Sequence, residues 1–483
     1  MKHWLLWATC AMSVFAGEGL VGTWRGEIPG EQGPGPFVLI IENQEGNTIR
    51  GRFHSFEHHG QLSGTLGEKG LDAAIDFGGG VVFYGVLAFD GQAFKGEVHS
   101  EALNLRFPLE AGRSEIAGLA AIGLETVDFS QPIPGKVYRS DLPKALTAAV
   151  VNRIERHRQE NGIVGLATAV LYDGQIADLR VFGWEDYPAR APVSDKTMFR
   201  WASISKPLTA VVAMQLMQAG RLDLDRDVRE YVPEFPRKPW SVTSRQLLTH
   251  RAGLVHYHPG KVIVTKRQYT VDHPFADRIL ALDKFKESAL LFQPGTDFSY
   301  STPGYALLGA VIQRAGKADY AEQVRKGVLA PLGMTSMQPD YPQNAIPHRT
   351  MGYEQVMPGV TIPSGDSDVS WKLAAGGWIS NIGDLARFAG GILNRQLIPR
   401  ETWEAMWSKP VEGKDGTQYY AYGFNVTRIQ GARTVFHSGA QSKTATMMML
   451  CPEERLGLVI MANTEGVRHE SVSTDLLKIL LPR

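Results

Sequence analysis

Ser203 and Lys206 stand three residues apart in Phe199-Arg-Trp-Ala-Ser-Ile-Ser-Lys-Pro-Leu-Thr-Ala210, a spacing that puts two side chains on one face of a helix. A serine hydroxyl attacks a carbonyl only when a neighbour takes its proton, and a lysine can do so once burial lowers its pKa. Pro207 fits a helix only within the first turn, so the following helix, which runs to Ala219 and is capped by Gly220, starts beside Ser203. The oriented N–H groups of that helix start favour a developing oxyanion. Alone, a Ser-x-x-Lys pattern arises by chance on the order of once in a chain of this length. Its weight therefore depends on what accompanies it.

Two further blocks follow it in order. Tyr300-Ser-Thr302 lies within Phe292-Gln-Pro-Gly-Thr-Asp-Phe-Ser-Tyr-Ser-Thr-Pro-Gly-Tyr-Ala-Leu-Leu-Gly309, and His437-Ser-Gly439 opens a strand-like stretch. With Ser-x-x-Lys these resemble the three motifs of serine β-lactamases and penicillin-binding proteins of the class C type: Tyr-x-Asn, and Lys-Thr-Gly, the latter often His-x-Gly in esterase and peptidase branches. Supporting blocks are Leu247-Leu-Thr-His-Arg-Ala-Gly-Leu254, Pro331-Leu-Gly-Met334 and Ala375-Gly-Gly-Trp-Ile-Ser-Asn-Ile-Gly-Asp-Leu385, and the similarity covers about residues 145–482. Tyr300-Ser-Thr302, together with Tyr231-Val-Pro-Glu-Phe235 and His256-Tyr-His258, most resembles the lactamase-beta-like proteins of animal mitochondria. The resemblance implies an acyl-enzyme mechanism. Ser203 would be the nucleophile, Lys206 and the Tyr300 phenol would relay the proton, and the backbone N–H groups of Ser203 and Ala440 would hold the oxyanion. Thr302, His437 and Gly439 would bind substrate beside it, and no metal or other cofactor is called for.

Two departures bear on substrate. Thr302 replaces the family's Asn, which removes an amide able to hydrogen-bond an acylamide side chain and keeps only a hydroxyl. His437 replaces Lys, so a fixed positive charge that grips a substrate carboxylate becomes one expected to depend on pH. Efficient β-lactam hydrolysis is accordingly not the first expectation, and Lys443 and Arg433 are the nearby cations that could compensate. The histidines His54, His58 and His59, and likewise His250, His256 and His258, fit no strong metal-ligand spacing and are read as ordinary polar or structural residues. His256 and His258 are placed at the cleft rim, in a loop that shapes specificity.

These residues need elements to hold them. A helical period over Ala145 to Asn161 leads into a strand–turn–strand, Ile163 to Tyr172, Asp173-Gly174 and Gln175 to Phe182. Near the C-terminus the order inverts: strands Thr444 to Cys451 and Leu456 to Ala462, then an amphipathic helix from about His469 to Leu481. A sheet built from both ends of residues 144–482, flanked by helices and interrupted by a helical insertion, is the economical α+β solution. Residues 19–112 alternate and turn as a small all-β domain, a barrel or sandwich, whose Gly22-Thr-Trp-Arg-Gly26 resembles the first strand of lipocalin-like barrels. Gly- and Pro-rich residues 113–143 are expected to be a linker.

The chain has 483 residues, room for two domains, and its 50 Lys plus Arg balance 50 Asp plus Glu. No general field favours nucleic acid or an anionic membrane, so a small-molecule, peptide or ester substrate is expected. Residues 1–16 read as an export signal: Lys2 and His3, the apolar run Trp4 to Phe15, then Val14 and Ala16 before Gly17. That run is too short for a transmembrane segment, which needs ~20 residues, and the expected location is periplasmic or secreted. Cleavage leaves Cys451 alone, so no intrachain disulfide is expected. The function expected is a serine hydrolase acting on a peptide, amide or ester, with weak β-lactamase activity within its range. The alternatives are a sensor or scaffold that acylates without turnover, and a β-barrel ligand carrier. Oligomeric state is not legible.

Overall fold

The structure, a computed structural model, describes residues 19–29, 34–55, 58–124, 126–257, 260–357, 360–408 and 419–481. The export signal at residues 1–16 and His258 lie outside them. The chain divides into two compact units: residues 1–126 with 356–362, and residues 127–355 with 363–483.

The first unit is a closed barrel of eight strands, each paired with the next and the first, Gly22–Ile28, with the last, Leu105–Arg113. Period-two patterning explains both of its faces. Along the Gly35–Glu45 strand, Phe37, Leu39 and Ile41 turn into the barrel, whose interior is filled by aromatic and aliphatic side chains. Val38 on the opposite face packs with Leu119, Ile122, Val360 and Ile362. Trp24 is fully buried, its indole N–H donates to Leu20 O at 3.0 Å, and Phe94 meets its ring edge-on. The glycine two residues later is required sterically: a Cβ on Gly26 would sit 1.9 Å from Glu110 O.

The second unit is an α+β fold around a nine-stranded sheet. Its centre runs Gln175–Asp186, Gly165–Tyr172, Leu456–Ala462, Thr444–Cys451, Ala432–Gln441 and Asn425–Ile429, with consecutive neighbours antiparallel. The two ends of the domain therefore meet in the middle of one sheet, as the inverted order of their hairpins predicts. Both faces are covered, so alternation here sorts apolar residues between two cores. Met447, Met449, Leu458 and Ile460 join Val150, Ile154, Leu476 and Leu477 of the Lys144–Glu160 and Glu470–Leu480 helices. Met448, Leu450, Val459 and Met461 face the larger core, which contains the helices Ser205–Gln218, Thr302–Gly316 and Ile382–Leu393.

The expected linker differs from what is found. Gly118–Ile122 forms a 3-10 turn within the barrel unit, and Gly135–Ser140 is an edge strand paired with Gln175–Asp186. Pro132, Pro134 and the mostly exposed sequence GKVYRS hide that strand, because an edge strand has one free side and no apolar alternation to announce it.

Candidate active site

The Ser203 turn is held by backbone and hydroxyl contacts from several directions. The Phe199–Arg200 strand pairs with Trp378–Ser380, and Trp201 N–H donates to Trp378 O at 2.8 Å. Thr444 and Thr446 on the central strand donate to Arg200 O and Trp201 O, each at 3.0 Å. Ala202 takes a left-handed φ of 48°, and a 3-10 turn, Ala202–Ile204, passes directly into the Ser205–Gln218 helix. Pro207 sits in that helix's first turn, where its missing N–H costs nothing. A strained non-glycine residue beside the nucleophile persists because its neighbours over-determine it.

Lys206 Nζ lies 3.0 Å from Ser203 Oγ and 3.0 Å from Ala375 O. Its side chain is fully buried, with the ammonium position 4.8 Å from the Tyr300 ring and no carboxylate pairing with it among the described residues. Burial first, and then the charge of Lys372, drive its pKa well below the ordinary lysine value. A neutral amine can donate one hydrogen to Ala375 O and offer its lone pair to the Ser203 hydroxyl.

The Tyr300 phenol hydrogen-bonds Ser203, but burial raises its pKa despite that bond. Tyr300 therefore stands as a protonated phenol beside Ser203, not as a phenolate. Tyr300 packs against His250 with the rings tilted by 41° and their centroids 4.2 Å apart, and His250 Nδ1 accepts from Ser301 N–H at 3.0 Å. His250 is thus a positioning group. Ser301 caps the Thr302–Gly316 helix by accepting from Gly304 N–H at 2.9 Å, which fixes Thr302 as its first residue. Thr302 is buried, its N–H donates to His256 Nδ1 at 3.3 Å, and its hydroxyl bonds Tyr257.

His437 departs from expectation. It is buried, one ring nitrogen is 2.6 Å from Ser438 O and the other 3.1 Å from the Tyr420 hydroxyl. Those partners fix one tautomer, with Nδ1–H donating to Ser438 O and Nε2 accepting from Tyr420. Burial, with Lys206 nearby, lowers its pKa to about 3, so it is neutral at physiological pH and no pH-dependent cation. Neither suggested substitute supplies the charge: Lys443 pairs with Asp366, and Arg433 with Glu404 and Glu453. Gly439 is required by packing, since a Cβ there would lie 2.2 Å from Thr446 Oγ1 and 2.6 Å from Trp201 O. That close approach brings the strand against the nucleophile turn.

Ser203, Tyr300, Thr302, His437 and Ala440 line one cleft of about 500 Å³. Lys206 and Gly439 lie directly behind it, so the sequence-predicted residues are all brought together. His256 also lines the cleft, as its placement at the rim anticipates. Sequence reasoning missed Lys372, a lysine that lines the cleft itself. Its only cue is its position three residues before Ala375-Gly-Gly, and it belongs to no motif.

The sequence model of the Beta-lactamase family matches residues 150–480. The human serine beta-lactamase-like protein LACTB, mitochondrial, is 27% identical over 391 residues, covering 62% of this chain and 71% of that protein. Among solved structures, the octameric penicillin-binding protein homologue from Pyrococcus abyssi superposes with a TM-score of 0.60 at 24% identity, over 69% of this chain and 77% of that one. The D-amino acid amidase from Ochrobactrum anthropi, solved with L-phenylalanine amide, gives a TM-score of 0.56 at 21% identity, over 69% of this chain and 98% of that one.

Proposed function

This chain belongs to the beta-lactamase family and is a serine hydrolase, and from that premise we propose that it hydrolyses esters or amides, peptides included, through an acyl-enzyme on Ser203. The observation that carries the proposal is the buried, unpaired Lys206 amine 3.0 Å from Ser203 Oγ. Ser203 Oγ bonds to the substrate carbonyl carbon as its proton passes to Lys206 Nζ. The carbonyl oxygen takes the negative charge, facing the N–H groups of Ser203 and Ala440. Collapse breaks the bond to the leaving group, and the proton returns to that group by way of the Tyr300 phenol. Water then attacks the acyl carbon with the same proton path, which releases the acid and restores the Ser203 hydroxyl.

Geometry supports a neutral relay in which Lys206 accepts and Tyr300 passes a proton without standing as a phenolate. The amidase likeness supports amides as well as esters. The neutral His437 supports weak β-lactam turnover, because the usual carboxylate grip is missing from its strand. Steady-state hydrolysis of p-nitrophenyl esters, D-amino-acid p-nitroanilides and a chromogenic cephalosporin tests the reading. Ester or anilide turnover that disappears in Ser203→Ala is expected, with the cephalosporin the poorest substrate. Folded protein inactive on all three classes contradicts it. Export is proposed on the order of charged, apolar and small residues over 2–16, and N-terminal sequencing of the mature protein should begin at Gly17.

A further inference from the structure

Lys372 ends the Ser370–Lys372 turn and lines the cleft with Ser203 and Tyr300. It is half-buried, and the one hydrogen bond of its ammonium among the described residues is a long one, 3.4 Å to the Tyr257 hydroxyl. No carboxylate pairs with it among the described residues. The acids of its own segment are engaged elsewhere: Asp366 with Lys443, and Asp368 with Ser370 N–H at 2.8 Å. Beneath this region Arg200 and Arg349 share the single carboxylate of Asp340, at 2.6 and 2.7 Å, leaving an excess positive charge. Arg200 also donates to Ser367 Oγ at 3.1 Å. The Ser367 oxygen therefore acts as acceptor, and its own hydrogen is left to be donated into the cleft.

A half-buried ammonium with no counter-ion is costly, and an incoming anion offsets that cost while gaining a charge-assisted hydrogen bond. Among the described residues that line the cleft, Lys372 is the one Lys or Arg and has no carboxylate partner, which matches one negative charge. We propose that Lys372, with the Ser367 hydroxyl in the same cleft, is a carboxylate subsite, so that preferred substrates carry one carboxylate close to the scissile carbonyl. The inference rests on the reading of Ser203 as nucleophile. It moves anion recognition from the His437 strand, where the family resemblance places it, to the turn before Ala375.

Charge states around Lys372 agree. Burial and Arg200 lower its pKa to about 8, so it is largely protonated at pH 7 and loses its charge above pH 9. Of the groups facing it besides the Arg200 guanidinium, His256 is lowered to about 4, Tyr257 is raised, and Lys206 is driven toward neutrality. Lys372 is thus the group expected to change charge between pH 7 and 9.

Two matched ester pairs test the subsite with the full chain. In one pair the acyl group ends in a carboxylate or its carboxamide; in the other the phenol leaving group carries a carboxylate or its carboxamide. The readout is the ratio of kcat/KM, charged over neutral, within each pair. For the native protein at pH 7 we expect at least one ratio above about tenfold, falling to near unity in Lys372→Met and largely retained in Lys372→Arg. The native ratio should fall from pH 7 to 9, whereas that of Lys372→Arg should not. Ratios near unity in both pairs, or a high ratio that survives Lys372→Met, overturn the subsite. Neutral esters cleaved by the native chain but not by Ser203→Ala keep the underlying reading intact in that case. Failure to cleave any of the four overturns the nucleophile and the subsite together.

Discussion

At the scale of single residues, the proposed mechanism depends on keeping Lys206 uncharged in the resting site. Its pKa is lowered, so the active neutral form exists above that pKa and is lost as pH falls through it. The kcat/KM profile should therefore show an acid limb governed by Lys206, and Lys206→Met should reduce kcat by about 10²–10⁴-fold. Because the Lys372 charge contributes to that lowering, Lys372→Met should move the acid limb to higher pH on neutral esters. An unmoved limb would show that Lys372 does not act on Lys206. Gly439→Ala should both lower the melting temperature and cut hydrolysis at least tenfold, since neither Trp201 O nor Thr446 Oγ1 can retreat without moving the nucleophile turn. Ser203, Lys206 and Tyr300 were legible in the sequence because local spacing and motif order specify them. The charge state of His437 and the role of Lys372 were not, because they follow from burial by elements hundreds of residues away.

At the scale of elements, the strands Thr444–Cys451 and Leu456–Ala462 are legible from their apolar runs and the intervening turn, and the helix Lys144–Glu160 from its period. What joins them is less visible. His157 on that helix and His469, which immediately precedes Glu470–Leu480, meet with ring nitrogens 2.9 Å apart, both buried. Neither histidine belongs to a motif, and only the packing of the two helices brings them together. Burial lowers their pKa values to about 4 and about 3, below the 6.5 of an unfolded histidine. The unfolded chain therefore binds more protons below pH 6.5, and stability is full above that value and declines as pH falls toward 4. His469→Gln should flatten the fall in unfolding free energy between pH 7 and 4.5 relative to the native chain. An equal slope would remove this pair as the cause.

At the scale of the whole molecule, the chain builds two units and crosses between them more than once, since residues 356–362 return to the barrel unit from the middle of the hydrolase sequence. Their Val360 and Ile362 complete an outer core over Val38. No local pattern reveals that excursion, because a short apolar hairpin reads the same whichever core receives it. Trp24→Ala should destabilise the barrel by about 3–5 kcal/mol, seen as a lowered thermal transition for that unit. A wild-type-like melt would mean that the barrel core tolerates the loss of its largest side chain. Cys451 offers an internal reporter of the other unit. It is fully buried between the central strands, and burial pushes its thiol up to about 11. A thiol reagent at pH 8 should leave it unmodified in the native state and label it only as the sheet unfolds. Rapid native labelling would contradict that packing.

The most direct measurement is intact-protein mass spectrometry on samples quenched during p-nitrophenyl ester hydrolysis, with peptide mapping of any adduct, on the native chain and on Ser203→Ala. A transient acyl adduct confined to Ser203, formed and lost at rates consistent with turnover and absent from the variant, is the predicted result. Hydrolysis that persists in Ser203→Ala, or an adduct on another residue, would contradict the account.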